Sequence, residues 1–395
     1  MYDSTQLNVN HKSISNPFLW RGQFTPELID YLIDIHAKPH FLVGDPFSGS
    51  GTVLLECSKR GIDAMGCEIN PSAYAMSKFF EIGILSFSEK WQLCQEILSL
   101  TSLKKLETSQ VYQKEFASNY ALAYQNLIRL AEKILDTPLS QQKRVFLLNI
   151  LFKMENYKKL TIEQAWHKAY NQISSFLFSL PENQANISAF LCDARQIDQQ
   201  IEHQIDLIIT SPPYINVFNY HQNHRIIMEL LNFDVLTVAQ SEFGANRKHR
   251  SNRFLTVIQY CIDMAQTLKA MQSALSKKGI VIMIVGRESN VKKTPFFNGE
   301  IMIDLCQHTG IFSLLHQNER HFRNKFGTTI YEDILVLQPN IKVDKTDEIA
   351  RTVALTHLKN AINSTPVESK ADLLKAIDSV HRVTASPIFK YRSQE

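Results

Sequence analysis

A short segment near the middle of the chain, Thr210-Ser211-Pro212-Pro213-Tyr214, combines a hydroxyl group, backbone carbonyls and an aromatic ring. It follows the apolar run Asp206-Leu207-Ile208-Ile209, which predicts a buried parallel strand, and open α/β sheets bind ligands where such strands end. Two consecutive prolines remove backbone donors and hold the chain extended, so the carbonyl oxygens of Ser211 and Pro212 are free to accept hydrogen bonds. A planar ring with an exocyclic amine would donate to these oxygens and stack on Tyr214. The segment therefore predicts a nucleobase substrate, and the alternative is a turn that only ends a strand.

A second motif, Asp45-Pro46-Phe47-Ser48-Gly49-Ser50-Gly51-Thr52, lies between the apolar runs 41–43 and 53–57. This order predicts a strand, a glycine loop and a helix, and the glycines allow a ligand to approach the backbone closely. The motif lacks the Gly-Lys-Ser/Thr of a phosphate loop and the Gly-x-Gly-x-x-Gly of dinucleotide sites. It therefore favours an uncharged adenosine ligand. Glu68 ends the next apolar stretch and is placed to accept hydrogen bonds from ribose hydroxyl groups.

Together the two motifs resemble those of the S-adenosylmethionine-dependent amino-methyltransferases of DNA. Ser-Pro-Pro-Tyr is most similar to the cytosine-N4 branch, since the adenine-N6 branch more often has Asp or Asn in the first position. The resemblance covers about residues 16–80 and 187–338. It implies S-adenosylmethionine as the cofactor, with Phe24 and Thr25 over its methionine end and Asp193 at its adenine amine. The implied catalytic residues are Ser211, Pro212, Pro213 and Tyr214. The implied cofactor-binding residues are Phe24, Thr25, Asp45, Pro46, Phe47, Gly49, Ser50, Gly51, Thr52, Glu68 and Asp193.

Short apolar runs alternate with helical patterns on both sides of a strand-poor segment, which predicts an α/β fold. The resemblance implies a Rossmann-like, mostly parallel seven-stranded methyltransferase sheet. Residues 81–180 contain one glycine, Gly83, and one proline, Pro138, and show helical spacing. We therefore divide the chain into residues 1–80 with the cofactor loop, a helical insertion at 81–184, a catalytic part at 185–340 and a helical C-terminal tail at 341–395. The insertion is a candidate target-recognition region, and the tail has no functional interpretation.

Contacts with nucleic acid must come from local basic patches, because the net charge of the 395 residues is only +3. The densest basic run spans residues 246–253 and follows the catalytic motif by one helical pattern. It predicts a loop that binds backbone phosphates. The residues assigned to nucleic-acid binding are Arg247, Lys248, Arg250 and Arg253. Lysines interleaved with aromatic residues in the helical insertion form a second candidate surface, or a solvated helix face.

The resulting hypothesis is a methyltransferase that modifies cytosine-N4 at a specific site in double-stranded DNA, with a companion restriction endonuclease acting on the same site. Such an enzyme must flip the target nucleotide out of the duplex. The alternatives are an adenine-N6 DNA methyltransferase, an RNA guanine-N2 methyltransferase, whose loops also combine these two motifs, and a nucleic-acid-binding subunit without catalysis. The six cysteines are scattered without a Cys-x-x-Cys pair, and neither a signal segment nor an 18-residue apolar span occurs. We therefore expect a cytoplasmic protein without disulfides, metal or a membrane segment.

Overall fold

The computed structural model describes residues 2–9, 13, 16–18, 20, 22–100, 131–132, 136–157, 159–182, 185–216, 218–245, 249–323, 327–340 and 345–390. The strands are β1 (Leu42–Asp45), β2 (Asp63–Glu68), β3 (Ile187–Leu191), β4 (Ile205–Thr210), β5 (Leu275–Gly286), β6 (Glu288–Val291), β7 (Thr294–Phe297), β8 (Phe312–Arg323) and β9 (Thr329–Pro339). Strands β6 and β7 form a separate hairpin, and the other seven form one sheet.

The seven-stranded sheet has the order β3-β2-β1-β4-β5-β9-β8. The first five strands pair in parallel, and β9 is antiparallel to both β5 and β8. The expected mostly parallel seven-stranded sheet is therefore confirmed. The strand order reverses between β1 and β4, and open α/β sheets place ligand clefts at such a switch point. The glycine loop leaves β1 and the Ser-Pro-Pro-Tyr segment leaves β4, so the two motifs emerge side by side at one edge.

Helices cover both faces of the sheet. They are α1 (Ser4–Leu7), α2 (Pro26–His36), α3 (Thr52–Lys59), α4 (Pro71–Lys78), α5 (Phe87–Leu100), α6 (Gln141–Met154), α7 (Ile162–Ser179), α8 (Arg225–Leu230), α9 (Val235–Ser241), α10 (Leu255–Ala274), α11 (Asn298–Thr309), α12 (Thr346–Asn360) and α13 (Val367–Asp378). Thr25 is the N-cap of α2 and Pro26 its first residue, a position that proline favours, although the Thr25 hydroxyl makes no capping hydrogen bond. None of the described helices is long and apolar enough to cross a bilayer.

The described part of the segment between β2 and β3 is helical and shares a core with the sheet. Helix α6 is buried along most of its length, and Asn149 Nδ2 donates to the Ala75 carbonyl of α4 at 2.7 Å. Lys153 Nζ donates to the Pro17 carbonyl at 2.6 Å. Among the interleaved basic and aromatic residues of this segment, Lys104, Lys105, Tyr112, Tyr120, Tyr124 and Lys158 lie outside the described residues. The described helices of this segment therefore belong to the same hydrophobic core as the sheet.

The C-terminal residues also pack against the hydrophobic core of the chain. Helix α12 contributes Ala350, Val353 and Leu358 to the core that contains α10 and α11. Arg351 Nη2 donates to the Val383 carbonyl at 3.0 Å, which directs the following residues back towards the end of β3. Phe389 is buried there, although its sequence surroundings gave no such signal. The chain after residue 345 thus packs on α10 and α11 and ends beside Asp193, just after β3.

Candidate active site

The loops after β1, β2, β3 and β4 enclose an open cavity of about 950 Å³, counting the space at its mouth. Its lining includes twelve of the residues assigned from sequence: Phe24, Pro46, Phe47, Gly49, Ser50, Thr52, Glu68, Asp193, Ser211, Pro212, Pro213 and Tyr214. Asp45, Gly51 and Thr25 are not part of the lining, and Asp45 and Thr25 are buried. The cavity therefore brings the proposed cofactor loop and the proposed catalytic loop to one space.

The glycine loop requires its glycines. Gly49 and Gly51 have φ angles of 52° and 80°, which side chains rarely adopt. A Cβ atom on Gly49 would lie 2.9 Å from Trp20 Nε1, and one on Gly51 would lie 2.5 Å from the ring of Phe80. The space beside each glycine is therefore already filled, by a cavity-lining ring at Gly49 and by a ring outside the lining at Gly51.

Glu68 fastens the glycine loop to the end of β2. Its Oε2 accepts from the Gly49 amide at 3.0 Å, and its Oε1 accepts from the Asn70 amide at 2.8 Å. Burial raises the Glu68 pKa to about 7, although both amide hydrogen bonds oppose the shift. Each carboxylate oxygen has a further lone pair for a ligand hydroxyl. Glu68 thus combines a structural contact with the predicted ribose-binding position.

Asp45 couples the two motifs from behind the cavity. Its Oδ1 accepts from Thr210 Oγ1 at 2.6 Å and from the Phe47 amide at 3.0 Å. Burial raises the pKa of Asp45 to about 7, against these hydrogen bonds. Thr210 directly precedes Ser211, so this hydrogen bond joins the start of the glycine loop to the start of the Ser-Pro-Pro-Tyr segment.

The catalytic segment is held by contacts on both sides. Ser211 Oγ lies 3.2 Å from the Tyr214 hydroxyl, which lies 3.4 Å from Glu332 Oε1. The ring of Tyr214 packs on Gly286, where a Cβ atom would come within 2.9 Å of it. Burial raises the pKa of Tyr214 well above its ordinary value, so the phenol stays protonated. The Asn216 amide donates to the Gly244 carbonyl at 2.8 Å and fixes the chain after the motif.

An aromatic wall of the cavity was not predicted. The rings of Trp20 and Tyr220 stack with centroids 5.6 Å apart and an interplanar angle of 18°, and Phe218 lies 5.4 Å from Tyr220. All three line the cavity. Trp20 comes from the segment before α2, whereas the other two follow the catalytic motif. The sequence shows aromatic residues near both motifs, but it does not show that they meet at one wall of the cavity. This wall offers faces on which planar rings can stack.

A buried acid–histidine pair also borders the cavity and was missed. Glu242 lines it, and Glu242 Oε2 lies 2.6 Å from His221 Nδ1. The His221 amide bonds the other carboxylate oxygen. The pair fixes the turn that carries Tyr220.

Asp193 lines the cavity as expected, but its carboxylate is held by protein donors. Arg195 bonds it through its amide at 3.0 Å, its Nε at 2.9 Å and its Nη2 at 2.6 Å. The Phe389 amide donates to Asp193 Oδ2 at 3.0 Å. Arg195 Nη1 in turn donates to the Ser386 carbonyl at 2.7 Å. Each Asp193 oxygen thus accepts two hydrogen bonds from the protein. Contact with an adenine amine stays a prediction, and the amine would have to share one of these oxygens with the protein donors.

The predicted phosphate-binding loop is described only in part. Arg247 and Lys248 lie outside the described residues, whereas Arg250 and Arg253 are exposed and make no ion pair with another described residue. Asn252 Nδ2 donates to the Asp372 carbonyl of α13 at 2.7 Å and anchors the loop. Arg250 and Arg253 therefore lie at the surface, a few residues after the Gly244 contact with the catalytic segment.

Comparisons with known sequences match this chain to one family model and to type II methyltransferases. A family model described as DNA methylase matches residues 1–79. The type II methyltransferase M.AvaI of Nostoc sp. is 23% identical over 302 residues, covering 65% of this chain and 63% of the relative. The type II methyltransferase M.MjaII of Methanocaldococcus jannaschii is 38% identical over 52 residues, which are 13% of this chain and 10% of the relative. The chain therefore spans less than two thirds of the length of either relative.

Among solved structures, an rRNA methylase from Streptococcus thermophilus has 8% identity and a TM-score of 0.32, covering 79% of this chain and 94% of that one. The rRNA methyltransferase aviRa from Streptomyces viridochromogenes has 11% identity and a TM-score of 0.31, covering 85% and 93%. Both TM-scores and both identities are low. The DNA methylase match and the two type II methyltransferases support assignment of this chain to the DNA amino-methyltransferase family.

Proposed function

We propose that this protein methylates the exocyclic N4 amine of cytosine at a specific site in double-stranded DNA, using S-adenosylmethionine, as the modification part of a restriction-modification system. The observation that carries the proposal is the shared cavity of the glycine loop and the Ser-Pro-Pro-Tyr loop. Its two loops are tied together by the 2.6 Å bond between Thr210 and Asp45. A methyl donor and an amine acceptor would therefore meet in one enclosed space.

The residues present fit S-adenosylmethionine. Gly49 presents backbone to the cavity at a position where a Cβ atom would meet Trp20, and Glu68 offers carboxylate lone pairs to ribose hydroxyl groups. Phe47 and Phe243, with ring centroids 5.6 Å apart, line the same cavity and provide apolar surface for an adenine ring. S-adenosylmethionine supplies a methyl group on a cationic sulfur. The contribution of the protein is to hold the acceptor amine in line and to exclude water.

The acceptor amine is positioned by Ser211 and Pro212. Its lone pair is delocalised into the ring, which makes it a poor nucleophile. Hydrogen bonds from the amine to Ser211 Oγ and the Pro212 carbonyl favour tetrahedral nitrogen and free the lone pair. Tyr214 holds the flipped base by stacking, a contact that contributes about 1–3 kcal/mol in single-stranded nucleic-acid complexes. No covalent enzyme intermediate is needed, and the six cysteines are all buried free thiols.

Serine in the first position supports cytosine-N4 over adenine-N6 as the acceptor. This support comes from the motif preference of the family, because either amine can make the same two hydrogen bonds. Among macromolecules, DNA is favoured by the DNA methylase match and by M.AvaI and M.MjaII. Arg250 and Arg253 are exposed, which suits contacts with backbone phosphates.

The test is methylation-sensitive long-read sequencing of DNA from cells that lack their own DNA methyltransferases and express this protein. We expect N4-methylcytosine at one short motif, and no modification from the matched Ser211→Ala variant. N6-methyladenine at one motif would correct the base but keep the reaction class. Unmodified DNA together with methylated RNA would refute the DNA assignment. The companion endonuclease is tested separately, by asking whether the modified DNA resists a nuclease encoded beside this protein.

A further inference from the structure

A buried ion pair lies directly behind the catalytic tyrosine. Arg320 of β8 and Glu332 of β9 are opposite each other in the antiparallel ladder, and Arg320 Nε donates to Glu332 Oε2 at 2.7 Å. The Arg320 side chain is 5% exposed and that of Glu332 is 13% exposed. The other carboxylate oxygen, Oε1, lies 3.4 Å from the Tyr214 hydroxyl. The pair is therefore anchored in the sheet and faces the Ser-Pro-Pro-Tyr loop.

A glycine allows this contact. Gly286 of β5 is opposite Glu332 in the sheet, and the Tyr214 ring packs against it. A Cβ atom on Gly286 would lie 2.9 Å from Tyr214 Cε2 and 3.2 Å from Cζ. Since Gly286 has no side chain, the tyrosine can cross β5 and reach the carboxylate on β9.

The direction of the hydrogen bonds follows from the available protons. A carboxylate accepts only, so the Tyr214 hydroxyl must donate to Glu332. A phenol has one proton, so Tyr214 can meet Ser211 Oγ, 3.2 Å away, only as an acceptor. The Ser211 proton is then committed to Tyr214. Both Ser211 lone pairs then stay available to accept from a substrate amine.

We propose that Glu332 and Arg320 are positioning residues that, through the Tyr214 hydroxyl, orient Ser211 Oγ as a hydrogen-bond acceptor for the target amine. The inference rests on the proposed methyl transfer and extends it to two residues on β8 and β9 that no motif contains. Serine, unlike aspartate, can donate as well as accept. The ion pair removes that ambiguity, because it fixes one direction along the whole chain of hydroxyl groups.

The experiment is a double-mutant cycle under single-turnover conditions. Tritiated S-adenosylmethionine and unmethylated plasmid DNA are the substrates, with enzyme in excess. The variants are Glu332→Gln, Tyr214→Phe and their combination. Glu319→Gln is the matched control, since Glu319 lies on the neighbouring β8, pairs with Arg287 and is half exposed. Thermal unfolding and cofactor titration check that each variant is folded, and Tyr214→Phe keeps the ion pair while it removes the relaying hydroxyl.

We expect Glu332→Gln to lower the methyl-transfer rate up to about 10-fold, because the 3.4 Å contact with Tyr214 is long for a hydrogen bond to a charged group and the Gln amide can present a donor in place of the acceptor. The double variant should be no slower than Tyr214→Phe alone, and Glu319→Gln should match the wild type. Multiplicative effects of the two substitutions, or a Glu332→Gln rate equal to that of the control, would overturn the inference.

A second measurement does not depend on activity. Tyrosine labelled with ¹³C at Cζ reports hydrogen bonding of the phenol, and the Tyr214 resonance is identified by its loss in Tyr214→Phe. Glu332→Gln should shift this resonance and Glu319→Gln should not; an unchanged resonance would refute the contact. If the wild type transfers no methyl group to any DNA, the proposed function fails, while the resonance still decides whether Glu332 holds Tyr214.

Discussion

The affinity for S-adenosylmethionine should rise with pH through neutrality because of Glu68. The ribose hydroxyl groups donate best to an ionised carboxylate, and burial raises the Glu68 pKa to about 7. An acid with this pKa is about one-tenth ionised at pH 6 and about nine-tenths ionised at pH 8. If only the ionised form binds fully, affinity should increase up to about tenfold over this range, which is about 1.4 kcal/mol.

Titration calorimetry at several pH values between about 5.5 and 8.5 measures this effect. The matched variant is Glu68→Gln, which keeps the shape but cannot ionise. The amino group of the cofactor and Asp45, whose pKa is also raised to about 7, titrate in both proteins, so the difference between the two curves isolates Glu68. We expect a shallower curve and weaker binding at pH 8 for the variant. Parallel curves would refute the role of Glu68 as an ionised ribose acceptor.

Three further outcomes are expected. Gly51→Ala should lower the free energy of unfolding in urea by about 1–3 kcal/mol more than Gly61→Ala. Both glycines have positive φ, but only a Cβ atom on Gly51 would also meet a neighbouring ring. Equal losses of unfolding free energy in the two variants would contradict this reasoning. A chain ending after residue 384 should unfold at lower temperature and bind cofactor more weakly than one ending after residue 390, since buried charged groups lose their C-terminal partners; equal melting temperatures would contradict this. Ser211→Ala should lower turnover and leave the calorimetric cofactor affinity unchanged, and wild-type turnover would exclude this loop as the active site.

The pattern of apolar runs predicted the sheet because each buried parallel strand is a short, nearly continuous apolar segment. The glycine loop after β1 and Ser-Pro-Pro-Tyr after β4 were identifiable for the same reason, since each motif directly follows such a run. Their adjacency did not follow from the sequence alone. It results from pairing of Val43 with Leu207, which are far apart in the chain.

The aromatic wall and the C-terminal contacts were not predictable by the same means. Trp20 lies in an irregular segment and Tyr220 begins a single 3-10 turn, and neither is long enough for a periodic pattern to show which way a side chain faces. The bond between Phe389 and Asp193 joins residues 196 positions apart, and an amide donor has no sequence signature. Glu332 and Arg320 resembled ordinary strand residues, and only the register of β8 against β9 makes them a pair behind Tyr214.

The packing of helix α6 limits how target specificity can be exchanged. Asn149 donates a hydrogen bond to α4, the helix after β2, and Lys153 donates one to the segment before α2. Glu155, just after α6, lies 2.5 Å from Nδ1 of His224, which follows the Ser-Pro-Pro-Tyr segment. If residues 81–184 recognise the DNA sequence, the recognition segment and the catalytic part of the chain are packed together and should unfold as one unit. A recognition segment transplanted from a relative would then have to contain residues that make these same contacts with the rest of the chain. Specificity in this protein should therefore change by substitutions on an existing surface, and not by cassette exchange.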